Sequence, residues 1–169
     1  MSETVVIDTL KTSWGMFGVA LSSQGIGCLT FPSESLERCA AWTKRWLPEA
    51  RIKTNKKALR PIAAELNAYF KGKLKTFTLP LDLRGTPFQL QVWRALLNVE
   101  YGSVSTYTTI AAKIKRPQAM RAVGAANGAN PIPIIVPCHR IIGRNGKLVG
   151  YGGGLDMKYR LLKLEGVLL

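Results

Sequence analysis

The chain has 169 residues, 47% of them hydrophobic, and 24 Lys and Arg stand against 10 Asp and Glu for a net charge of +14. That apolar content excludes a disordered chain, the length allows one domain or two small ones, and no apolar run approaches the roughly 20 residues of a membrane span. Three widely spaced cysteines do not make a disulfide framework and fit a reducing compartment. The N-terminus lacks a basic stretch leading into an apolar one, so no secretory signal is expected, and the chain is placed in the cytoplasm of a prokaryote or the nucleus of a eukaryote.

In chain order, "TVVIDTLKT", "GMFGVALSS" and "IGCLTF" read as three short strands separated by turn signals. "ESLERCAAWTKRWLP" has the apolar spacing of an amphipathic helix stopped by Pro48. "KKALRPIAAELNAYFKG" is a second helix, with Ile62, Leu66, Tyr69 and Phe70 on one face and Gly72 at its end. The extended "LKTFTLPLDLRGTP" is a connection, which puts a boundary between an α/β domain, residues 1–84, and a second domain, residues 85–169. The first is expected to be a small antiparallel sheet with helices. The second is mainly helical. "PFQLQVWRALLNV" opens with Pro87 at a first helical position, "YTTIAAKI" and "QAMRAVGAANGAN" flank the turn "KRP", and "LDMKYRLLKLEG" is a last helix ending at Gly166. Short helix, turn and second helix outline a helix-turn-helix or winged-helix-like DNA-binding unit.

The charge agrees with that outline. Residues 1–84 carry 13 basic and 7 acidic side chains, and residues 85–169 carry 11 and 3. The excess is no basic tail, and a polyanionic partner, nucleic acid foremost, fits it better than a merely solvated surface. The second helix of the pair is odd: around Arg121 it carries Ala119, Ala122, Gly124, Ala125, Ala126, Gly128 and Ala129. A helix reading major-groove base edges presents Arg, Asn or Gln in a row. This one either packs tightly against another helix or lies close to DNA while reading little sequence.

The chemistry concentrates in "PCHRII", where Cys138, the sole histidine His139, and Arg140 follow one another. A thiol is nucleophilic as thiolate, and a histidine can take its proton. Neighbours i and i+1 rarely face each other, so the two need a turn or an intervening water. Pro131, Pro133 and Pro137 make the approach rigid and extended. A histidine base also wants an orienting carboxylate, and Glu100, Asp156 and Glu165 are the acids of this half. The competing reading is a buried core cysteine, which Cys28 and Cys39 fit. One histidine and scattered cysteines lack metal-ligand spacing.

"NPIPIIVPCHRII" resembles the active-site motif of the O6-alkylguanine-DNA alkyltransferases (methylated-DNA–protein-cysteine methyltransferases). "GTPFQLQVWRAL", "YGSVSTYTTIAAKI", "RAVGAANGANP", "GYGGGL" and "LLKLEG" continue the resemblance in family order across residues 85–169. Residues 1–84 are similar by layout and length. The resemblance implies direct-reversal DNA repair: Cys138 accepts an alkyl group, such as methyl, from O6 of a flipped-out guanine (less certainly O4 of thymine) and keeps it, so each molecule acts once. It implies His139 as base through a water, Glu165 as its orienting carboxylate and Asn130 as a brace of that network. Tyr107 would help rotate the nucleotide and donate to the guanine, Arg121 would fill the gap in the stack, and Tyr151 and Gly152 would form the pocket loop. Backbone carbonyls at Cys138 and Ile141 would hold the base amine, and Arg140 joins the substrate- and DNA-contacting set. The implied partner is double-stranded DNA bound through the minor groove by a monomer, with no cofactor. Departures exist as well. Glu100 in "VEYG" stands where the family often has proline, and with His139 the only histidine the structural zinc of some members is not expected. The alternative function is a non-catalytic binder of alkylated DNA, against which the presence of Cys138 argues. A thiol hydrolase fits the +14 charge poorly.

Overall fold

The computed structural model describes residues 3–167. The chain divides into two compact units, Met1–Arg84 and Gly85–Leu169. No helix among the described residues is long and apolar enough to cross a membrane.

In the first unit, β1 (Thr4–Thr12), β2 (Gly15–Ser22) and β3 (Gly25–Thr30) form an antiparallel meander. Its turns are tight. Gly25 has φ +139°, and a Cβ there would sit 2.4 Å from the Pro80 carbonyl oxygen, so only glycine fits. The expected antiparallel sheet needs one correction: a fourth strand, β4 (Arg51–Lys53), pairs parallel with β1 and makes the sheet mixed, in the order β3-β2-β1-β4. All three β4 residues are exposed, so "RIK" carries no alternation from which a strand could be read. Helix α1 (Glu37–Trp46) buries Cys39 and Trp42 against Val5, Ile7, Ala20 and Cys28. Phe17, an odd number of residues from Ala20, points to the opposite face. There it stacks with Phe70 of α2 (Arg60–Phe70), centroids 5.6 Å apart. The connection then follows β3, with Asp82 N donating to Ile26 O at 2.7 Å and Arg84 Nε to Asp82 Oδ1 at 2.9 Å.

The second unit opens with α3 (Pro87–Leu97). Thr86 caps it, its side chain accepting from Gln89 N at 3.1 Å while the Gln89 side chain accepts from Thr86 N at 3.0 Å. Val92, Trp93 and Leu96 form its buried stripe. Helices α4 (Tyr107–Lys113) and α5 (Met120–Gly128) follow, joined by a turn through Lys115 at φ +62°. Trp93 Nε1 donates to Ala126 O at 2.8 Å and locks α5 to α3. The last helix, α6 (Leu155–Leu164), ends before Gly166 at φ +82°.

Candidate active site

The prolines do more than extend the segment leading to Cys138. Ile134 sits at φ +74°, and Ile135 N donates to Pro133 O at 2.9 Å, closing a left-handed γ-turn on a β-branched residue. Such a conformation is strained and persists only where the surroundings impose it. Pro137 (φ −81°, ψ 63°) centres a second γ-turn of the common hand, with Cys138 N donating to Val136 O at 2.8 Å. A single 3₁₀ turn, Cys138–Arg140, follows. Asn130 staples the loop: its Oδ1 accepts from Ile132 N at 3.0 Å, and its Nδ2 donates to Val136 O at 2.8 Å. Beyond the turn, Ser105 N donates to Arg140 O (2.8 Å) and Ile142 N to Ser105 O (2.9 Å), which ties the entry of α4, and so Tyr107, to the cysteine segment.

The 3₁₀ turn sends neighbouring side chains to one carboxylate. His139 Nε2 lies 2.7 Å from Glu165 Oε2, with both side chains fully buried. Arg140 donates from Nε to Glu165 Oε1 at 2.8 Å, from Nη2 to Oε2 at 3.0 Å, and from Nη1 to Val99 O at 2.6 Å. Of the three acids in this half, Glu165 is the one that meets the histidine; Glu100 is exposed. Arg140 differs from the expectation of a DNA contact. It is buried, and its guanidinium is committed to Glu165 and Val99, so it holds the carboxylate in place. Because an ionised carboxylate only accepts, His139 Nε2 carries the proton and Nδ1 keeps its lone pair. Nδ1 is buried and has no hydrogen-bond partner among the described residues.

Electrostatics separate the thiol from the imidazole. Burial raises the Cys138 thiol above its usual range, opposed by hydrogen bonding from Asn130, the charge of Lys158 and the Tyr151 hydroxyl. Burial lowers the pKa of His139, with Glu165 pulling the other way. The resting pair is therefore a neutral thiol beside a neutral imidazole. Lys158 was not singled out from the sequence. It is fully buried on α6, donates from Nζ to Val149 O at 2.8 Å, and burial brings its pKa to about 8. The signal was present: Lys158 shares a helical stripe with Leu161, Leu162 and Glu165, all buried. Tyr107 stands near enough to Cys138 for the thiolate charge to raise its pKa, after burial, while Asn127 draws it down. Asn127 was also missed. It is buried on α5 among small residues, and its Oδ1 has no partner among the described residues.

The small-residue helix has an open face. Val123, Ala126 and Asn127 are buried, whereas Arg121, Ala122, Ala125, Gly128 and Ala129 are exposed, and a Cβ built on Gly124 or Gly128 meets nothing within 4 Å. Of the two readings of that composition, tight helix packing does not describe this face. Gly152 is likewise exposed with open space at its Cα, and Ile141 is fully buried just after the 3₁₀ turn.

Residues 87–167 match the family model described as 6-O-methylguanine DNA methyltransferase, DNA binding domain, and residues 5–83 match its ribonuclease-like domain. An inducible methylated-DNA–protein-cysteine methyltransferase of Bacillus subtilis is 44% identical over 149 residues, covering 88% of this chain and 83% of the relative. A Mycobacterium bovis protein, a methylated-DNA–protein-cysteine methyltransferase, is 60% identical over 101 residues, 60% of this chain and 61% of the relative. Among solved structures, the crystal structure of Mycobacterium tuberculosis OGT in complex with DNA superposes with a TM-score of 0.80 at 42% identity, covering 95% of this chain and 92% of that one. With both units matched in order, the chain belongs to the 6-O-methylguanine DNA methyltransferase family.

Proposed function

We propose that the protein is a single-use DNA repair methyltransferase (a methylated-DNA–protein-cysteine S-methyltransferase) that moves an alkyl group from O6 of guanine in duplex DNA to Cys138. The observation that carries this reading is the buried Cys138–His139–Glu165 arrangement, in which Nδ1 keeps a lone pair while Nε2 is held by Glu165 at 2.7 Å. Guanine O6 lies inside the duplex, so the nucleotide is flipped out at a cost of about a few kcal/mol, lower for a damaged, poorly paired base. α5 approaches the minor groove with its open face, where readout is degenerate, as a sequence-tolerant repair protein requires. Arg121 enters the stack in place of the extruded base.

The chemistry then balances without a cofactor. His139 Nδ1 takes the Cys138 proton through a bridging water, and Glu165 stabilises the imidazolium. Sγ attacks the saturated carbon in line; the S–C bond forms as the C–O6 bond breaks, and the electron pair remains on the guanine. The thiol proton returns to the base, leaving S-alkylcysteine and guanine. Lys158 favours the thiolate by charge, Tyr107 donates to the departing base, and the Cys138 and Ile141 carbonyls accept from its amine. The Tyr151–Gly152 loop closes the pocket. The thioether is a poor leaving group, so one molecule reacts once, as a monomer. Transfer of radiolabelled methyl from an O6-methylguanine duplex tests this: label accumulates to one equivalent per protein and is absent from Cys138→Ser. Continued turnover, or labelling of Cys138→Ser, refutes it.

A further inference from the structure

The charge of the unit Met1–Arg84 is concentrated. Residues 51–75 carry eight basic side chains and one acid, Glu65, whereas residues 1–50 carry four basic and five acidic ones. All eight of those basic residues are exposed. The topology lines most of them along one border. β4 is an edge strand running beside β1, with Thr4 opposite Arg51 and Val6 opposite Lys53. The chain continues along β1 to Lys56, whose Nζ meets Asp8 Oδ1 and Thr9 O, each at 3.0 Å. Lys57 comes next, and Arg60 begins α2.

The unit's own acids do not neutralise this border. Glu3 is bound by Ser23, Glu34 by Arg38, Glu65 by Thr78, and Asp82 by Arg84 and Ser22, while Glu37 and Glu49 form no ion pair among the described residues. Asp8 answers Lys56 alone. Among the described residues, Arg51, Lys53, Lys57, Arg60 and Lys73 form no ion pair. Lysine on an edge strand guards against edge-to-edge pairing, but one inward or flanking charge does that, and the cations extend well past the three residues of β4. Gathering like charges opposes the folded state. We propose that the β4 border and the ends of α2 form a second phosphate-binding surface for duplex DNA, additional to α4 and α5. This rests on the reading that the chain acts on DNA. Its interactions are ionic and blind to sequence.

The test uses the full-length chain. Binding of a fluorescent undamaged duplex is measured across a potassium chloride series for wild type and for K53Q/K57Q/R60Q/K73Q. Each phosphate that the protein no longer neutralises lowers the slope of log affinity against log salt by about 0.9. The expected result is a slope smaller by about 2 to 4 and at least about a tenfold loss of affinity at low salt. The rate of Cys138 alkylation by a free O6-alkylguanine base, which needs no DNA, stays unchanged and reports folding. The charge-preserving K53R/K57R/K73R keeps the wild-type slope, and R38Q/K44Q, on α1 at the face of the sheet opposite α2, lowers it by less than the value for a single phosphate. A quadruple variant with wild-type slope and affinity overturns the surface, as does an equal drop in R38Q/K44Q. Wild-type protein that takes no alkyl group from the free base or from a duplex containing O6-methylguanine overturns the reading of the Cys138 site instead.

Discussion

Glu165→Gln probes the buried network at its centre. The carboxylate accepts from His139 and twice from Arg140, and Gly102 N points at it from 3.4 Å. The amide keeps the shape, removes the charge, and offers one accepting oxygen. If that oxygen serves Arg140, the amide NH2 faces His139 Nε2, which must then accept, and the proton moves to Nδ1. The lone pair proposed to receive the thiol proton is lost. Removing one partner of a buried ion pair costs about 3–5 kcal/mol, a large share of the roughly 5–15 kcal/mol that holds a domain together. Losing a general base costs about 10²–10⁴ in rate. Urea unfolding followed by circular dichroism measures the first, and single-turnover transfer from an O6-methylguanine duplex the second. A stability loss under about 1 kcal/mol together with a rate within about threefold of wild type would mean that neither the buried ion pair nor the His139 tautomer depends on the Glu165 charge.

His139 is the only histidine, so one imidazole resonance reports its titration by NMR. Burial holds its folded pKa below 6.5; between the two values the unfolded chain binds the extra proton, so stability is full above pH 6.5 and is lost as pH falls through the folded value. A resonance titrating above 6.5 contradicts this. Lys158→Met removes the buried charge that favours the Cys138 thiolate, so alkylation of the thiol by iodoacetamide at pH 8 slows while the fold remains intact; an unchanged rate denies Lys158 that part. Gly124→Ala adds a methyl to an open helix face, so it stabilises the protein by about 0.8–1 kcal/mol while weakening duplex binding. Unchanged binding indicates that α5 does not lie against DNA.

How much of this was legible in the sequence depends on whether local pattern or tertiary context decides each residue. The hairpins, the capped helices α3 and α4 and the turn into α5 carry their own turn and cap chemistry, and they form where the pattern places them. β4 carries none, because three exposed residues held by a parallel neighbour leave no period. The rigidity of the cysteine loop was legible from its prolines, but the left-handed turn at Ile134 was not, since the strain is imposed by packing. Three acids were available to His139 by composition, and only the fold brings Glu165 to it. Arg140 and Lys158 mislead for one reason: long basic side chains are usually solvated, and each is buried here by partners outside its own helical turn, Glu165 and the Val99 carbonyl in one case, the Val149 carbonyl of the loop before α6 in the other. Asn127 was hidden among alanines and glycines that drew attention to the exposed face of the same helix.

A single-use transferase takes one alkyl group on Cys138 and keeps it. Intact mass after incubation with excess duplex containing one O6-methylguanine, followed by peptide mapping, tests this most directly. The expected result is a gain of one CH2 per molecule, located on Cys138 and not exceeded at longer times. An unchanged mass despite tight binding to the damaged duplex would contradict it and leave a protein that recognises alkylated DNA without repairing it.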